Sequence, residues 1–79
     1  MLKIRLEENE VLRVTTCKGE NENFYQADNV VYNIEATGFN TFVLEVAVLD
    51  NDGFEQLILI TTITEFKKCK LGENKPTDE

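Results

Sequence analysis

The stretch Phe42-Val43-Leu44-Glu45-Val46-Ala47-Val48-Leu49 runs into Asp50-Asn51-Asp52-Gly53, and three residues further on comes Leu57-Ile58-Leu59-Ile60-Thr61-Thr62-Ile63-Thr64. Both apolar runs are rich in β-branched and aromatic residues, which lose rotamer freedom in a helix and pack well on a pleated surface. They read as two antiparallel strands. Asp50 suits the first position of a type I turn, and Gly53 suits the left-handed position that closes a three-residue loop. That loop pairs Val46 with Ile58, Leu44 with Ile60 and Phe42 with Thr62. It sets Val43, Ala47 and Leu49 against Leu57, Leu59 and Thr61 on the other face. A two-residue turn at Asp52-Gly53 would shift every pair by one residue. Glu45 is the only charge from Phe42 to Leu49. A strand covered on both faces shows such a run, whereas a half-exposed strand alternates. The hairpin therefore belongs at the centre of a sheet that folds over itself, or of one that packs against a partner chain.

Before this hairpin, Leu2, Ile4 and Leu6 alternate with Lys3 and Arg5, a half-exposed strand whose two bases suit a sheet edge. Glu7-Glu8-Asn9-Glu10 is a connection of hairpin length, and Val11 to Cys17 returns with Leu12 and Val14 inward. Residues 18–28 break the pattern and read as a loop, with room for a short helical turn from Glu22 to Ala27. Asn29 to Ala36 is again a strand, and Thr37-Gly38 turns the chain into the central hairpin. The expected fold is all-β: a five-stranded antiparallel meander forming a small barrel or an open sandwich. Residues 1–71 make one domain, and residues 72–79 read as a disordered acidic tail.

A chain of 79 residues is one domain, and at this size it buries only about two-thirds of its unfolded surface. Fifteen acids against eight bases give a net charge of −7. Nucleic acids and anionic membranes are bound largely by neutralising their charge, so neither is an expected partner. The basic run Lys67-Lys68-Cys69-Lys70 reads as a solvated strand end. No run approaches the ~18 apolar residues of a membrane span, and the opening residues do not resemble a leader, which makes the cytoplasm the expected compartment. Cys17 and Cys69 are the only cysteines and there is no histidine. No metal-type pair follows, and in a reducing compartment both are expected as free thiols.

Catalytic apparatus is not legible. Without histidine, general-base chemistry would fall to a carboxylate, a lysine or a thiolate, and no nucleophile elbow, phosphate loop or Cys-x-x-Cys is present. Asp50 and Asp52 before Gly53 resemble part of a calcium loop, but the first ligand position falls on Val48 and the bidentate position on Leu59. The expectation is a non-enzyme with no cofactor and no metal. The candidate partner-binding residues are of two kinds. Phe24 and Tyr25 either tuck under their loop to close the barrel or form an aromatic anchor. Glu7, Glu8 and Glu10, with Asp50, Asp52 and Glu55, would occupy hairpin tips at one end of a meander. There they would make an acidic rim for a basic surface. A third acidic group, Glu20, Glu22 and Asp28, lies in the loop between them in sequence.

The opening Met1-Leu2-Lys3-Ile4-Arg5-Leu6-Glu7, the segment Phe24-Tyr25-Gln26-Ala27-Asp28-Asn29 and the strand Val30-Val31-Tyr32-Asn33-Ile34-Glu35 together resemble small β-rich accessory or virion-associated proteins of phages and Gram-positive prophages. The resemblance spans the first 36 residues. It implies a binding protein and carries over no catalytic residue. The expected function is a non-catalytic protein–protein interaction module with a host or virion protein partner, or one that self-associates into a homo-oligomer. The alternative is an acidic mimic of nucleic acid that inhibits a host nucleic-acid-binding or defence protein.

Overall fold

The computed structural model describes residues 1–71; residues 72–79, expected as a disordered tail, lie outside the described residues. Six strands are present: β1 (Leu2–Ile4), β2 (Glu10–Thr16), β3 (Asn21–Tyr25), β4 (Val30–Ala36), β5 (Phe42–Leu49) and β6 (Glu55–Lys70). All pairings are antiparallel, and the spatial order is β1-β4-β5-β6-β2-β3. The sheet curls into a half-barrel.

The class is all-β as expected, but there are six strands instead of five and they do not follow chain order. The sixth strand, β3, lies in the segment read as a loop with a helical turn. Its residues Asn21, Glu22 and Asn23 are polar because the strand is a sheet edge, paired only with β2. The opening hairpin does not form. Leu2 pairs with Ile34 and Ile4 with Tyr32, while Leu12 pairs with Phe24 and Lys68. The cause is the length of β6. Its 16 residues reach past the start of β5, so the first half pairs with β5 and the second half is left for β2. β1 is thereby confined to the outer side of β4, an edge position that its bases Lys3 and Arg5 suit.

The turn of the central hairpin has the expected form. Gly53 N donates to the Asp50 carbonyl at 3.0 Å, and Asp50 Oδ1 accepts from Asp52 N and Phe54 N at 2.9 and 3.0 Å. Gly53 holds φ at 85°. Leu49 pairs with Glu55, Val48 with Gln56 and Ala47 with Leu57, in the expected register. Beyond them the register slips by one. Val46 pairs with Leu59, Leu44 with Thr61 and Phe42 with Ile63, instead of Ile58, Ile60 and Thr62. Ile58 is the extra residue of a β-bulge, a device that adds local twist and bends a long strand. A turn sets register only as far as the first irregularity.

The core lies inside the curl. Leu12, Val14, Leu44 and Ile63 are fully buried and pack with Leu6, Tyr32, Ile34 and Val46. Phe42 meets Phe66 edge-on at 5.1 Å, and Phe24 closes on Tyr32 at 5.8 Å. Val31 and Ala47 are buried outside that cluster, as two-sided cover of β4 and β5 requires. β6 is where that cover stops.

Candidate interaction surface

From Ile63 to Lys70, β6 has β2 beside it; from Glu55 to Thr62 it pairs with β5 alone. Its other edge there presents unpaired backbone N–H and C=O groups. On that segment Leu57 is 50% exposed, Ile58 61%, Leu59 40% and Ile60 57%, and Phe54 just before it is 70% exposed. Ile63, three residues on in the same strand, is 0% exposed. Leu59 sits opposite Val46 of the core cluster and Ile60 opposite Glu45. The exposed side chains therefore occupy both faces of the strand. Together they leave on the order of 400 Å² of apolar surface, within the range of the largest patch on a monomeric protein, which is often functional.

The remaining free edges are guarded. β1 carries Lys3 with Arg5 just beyond it, the second half of β6 carries Lys67, Lys68 and Lys70, and β3 carries Glu22 between two asparagines. Charge, and lysine above all, is how edge strands avoid pairing with another chain. Gln56 to Thr62 has neither charge nor proline. An open cleft of about 490 Å³ between β1 and β6, floored by Leu2, Ile4 and Phe66, is rimmed by Lys3, Arg5, Lys67 and Lys68. Two of those bases are engaged elsewhere, Lys3 with Glu55 at 2.9 Å and Lys68 with Glu10 at 3.5 Å.

The predicted acidic residues do not form one rim. Glu10 pairs with Lys70 at the last residue of β6, whereas Asp50 and Asp52 lie in the turn before its first. The two groups stand at opposite ends of the strand, because β2 joined its far half instead of pairing with β1. Glu10 is buried, and its Oε1 accepts from Glu7 N at 2.8 Å. That hydrogen bond, with Lys68 and Lys70 nearby, holds its pKa below the usual carboxylate value. Glu55 is lowered likewise, first by the hydrogen bond from Lys3 and further by the charge of Arg5. The aromatic pair divides. Phe24 is half-buried against the core while Tyr25 is exposed, and the Tyr32 hydroxyl donates to the Tyr25 carbonyl at 2.8 Å. Burial raises the pKa of that Tyr32 hydroxyl.

Cys69 pairs with Val11 and Cys17 follows Thr16, so the two thiols sit at opposite ends of β2, and both are free. Asn33 Oδ1, between β1 and β5 in the sheet, is buried with no hydrogen-bond partner. Among the described residues no group of three Asp, Glu or Cys side chains is placed to hold a metal ion, and no helix is long and apolar enough to cross a membrane. Phe54 and the bare edge were not singled out as site residues from the sequence. The available signal was the unbroken uncharged run from Gln56 to Thr64, in a chain with 29% charged residues. No protein-family model matches the chain, and no curated protein or solved structure matches it either.

Proposed function

We propose that this chain is a non-catalytic protein–protein interaction module whose contact element is the first half of β6. The observation that supports this most is the coincidence of an unpaired backbone edge with four exposed aliphatic side chains, Leu57 to Ile60. An extended segment of a partner added along such an edge gains main-chain hydrogen bonds from the backbone and specificity from alternate side chains. The phage or prophage setting rests on the resemblance of the first 36 residues alone. The nucleic-acid-mimic reading draws little from the geometry. The carboxylates are divided between the two ends of β6, and Glu10 and Glu55 are engaged within the chain. The test is capture on immobilised protein, with Ile58→Lys as the control. Partners held by the parent and lost by the variant are expected, in complexes that survive high salt because the contact is apolar. A mimic's complexes would instead weaken steeply with salt. Capture of the same proteins by both, or salt-labile complexes only, would count against an apolar edge.

A further inference from the structure

The exposed half of β6 is suited to one occupant in particular. We infer that it is a second copy of this chain, paired antiparallel to the first across a two-fold axis perpendicular to the sheet, along Gln56 to Thr62. The inference rests on the reading of that edge as the contact element and names its partner.

Four features carry it. First, the edge is bare over seven residues where β1, β3 and the second half of β6 are charged, so pairing along those strands is discouraged. Second, the chain has a net charge of −7, which repels a second copy in most orientations. The segment Gln56–Thr62 contributes none of that charge, and at its far end Lys18 stands with Glu20 and Glu22 in the cleft they share with Thr61 and Thr62. A perpendicular two-fold centres on a single residue, Ile58 or Leu59. With the axis at Ile58, Glu55 of one copy lies opposite Thr61 of the other; with it at Leu59, pairing stops at Gln56 against Thr62, because β2 occupies the edge from Ile63. Third, a second copy supplies the neighbouring strand that this edge lacks. With the axis at Ile58, Leu57 to Leu59 of one strand fall opposite the same three of the other; with it at Leu59, Ile58 to Ile60 do, and the β1-β4-β5-β6 rows of both copies join into one continuous sheet. Fourth, the contact has the size of a weak association: the exposed parts of the four aliphatic residues and Phe54, taken from both copies, come to on the order of 1,000 Å² at most, below standard-size interfaces. The expected dimer is therefore one that dissociates in the micromolar range. Residues 72–79 contain no aliphatic or aromatic side chain beyond their proline.

The contact is isologous, so each substitution counts twice. The experiment is sedimentation equilibrium from low micromolar to several hundred micromolar on the parent and on Ile60→Lys. The isoleucine is exposed and lies opposite Glu45, so lysine there should not unfold the chain. A thermal melt of each at low concentration checks this. The parent should pass from monomer to dimer across the range. Ile60→Lys should raise the dissociation constant more than tenfold with an unchanged melting temperature. In a background of Cys17→Ser and Cys69→Ser, Ile58→Cys or Leu59→Cys should form a disulfide-linked dimer on mild oxidation, whichever residue lies on the two-fold axis. Three results would overturn the second copy: a parent that stays monomeric throughout, a dimer that Ile60→Lys leaves intact, or open-ended aggregates in place of a discrete species. A monomeric parent that still captures another protein, with capture lost in Ile58→Lys, would remove the second copy and keep the interaction module. A monomeric parent that captures nothing through this edge would remove both.

Discussion

A Cβ built on Gly53 meets no atom within 4 Å, so what a side chain there disturbs is the backbone at φ 85° and not its surroundings. Gly53→Ala should cost about 1 kcal/mol, and Gly53→Val more, because β-branched residues tolerate positive φ least. In a domain this small each ~1 kcal/mol lowers the melting temperature by roughly 4–8 °C, which a thermal melt resolves. Gly53→Asn should be nearly neutral, since Asn29 and Asn40 already hold φ at 64° and 65° in this chain. Glu10 and Glu55 give a pH dependence with a defined sign. Each has a folded-state pKa below its unfolded value near 4.5, so each stabilises the fold above that value. The contribution is lost as the pH falls through the folded pKa. Melting temperature should thus drop as the pH is lowered from about 5 to about 3, and Glu10→Gln should flatten part of that drop. The thiols should stay apart. Cα atoms more than about 7 Å apart cannot be bridged without backbone movement, and the length of β2 separates these two. Mass spectrometry after mild oxidation of dilute protein should find no intramolecular disulfide.

One strand holds two kinds of isoleucine, and they should respond differently to the same truncation. Ile63→Ala opens a cavity in the core and should cost about 2–5 kcal/mol. Ile58→Ala removes an exposed side chain and should change stability by no more than ~0.5 kcal/mol in the dilute monomer. Urea unfolding at low micromolar concentration measures both. The elements also show what a sequence can and cannot reveal. The turn at Asp50–Gly53 and the strands around it were legible, because turn chemistry and β-branched runs act over a few residues. β3 was not, because an edge strand such as Asn21-Glu22-Asn23 needs no apolar alternation to pair. Nor was the partner of β1: the choice of β4 over β2 depends on how far β6 extends at the other end of the chain. The slip at Ile58 left no mark in composition, since every residue from Leu57 to Ile60 is aliphatic. Of the candidate site, the apolar run was visible and its lack of cover was not, for cover is a property of neighbouring strands.

For the molecule as a whole, stability of about 5 kcal/mol is normal, so Ile63→Ala should remove a large part of it and lower the melting temperature well below that of the parent. Deleting residues 72–79 should leave the melting temperature unchanged, since the segment brings no aliphatic or aromatic side chain to a core. Thermal melts of the two variants beside the parent would show the contrast. The arrangement of β6, shared between β5 on one edge and β2 on the other, has a consequence for how the protein is made. β2 is synthesised early, yet its partner residues Ile63 to Lys70 come some fifty positions later. Pairings so distant in sequence close slowly, and none can close until both strands have left the ribosome. The β2-β3 and β4-β5 pairs can close from the first fifty residues alone, but β2 waits without its second neighbour, β6. Leu57 to Ile60, the stretch most prone to stick to other chains, emerges near the end of that wait. Completion of the fold by Ile63 to Lys70 does not cover Leu57 to Ile60, which stay exposed in the folded chain, so the risk of misassociation through them outlasts folding.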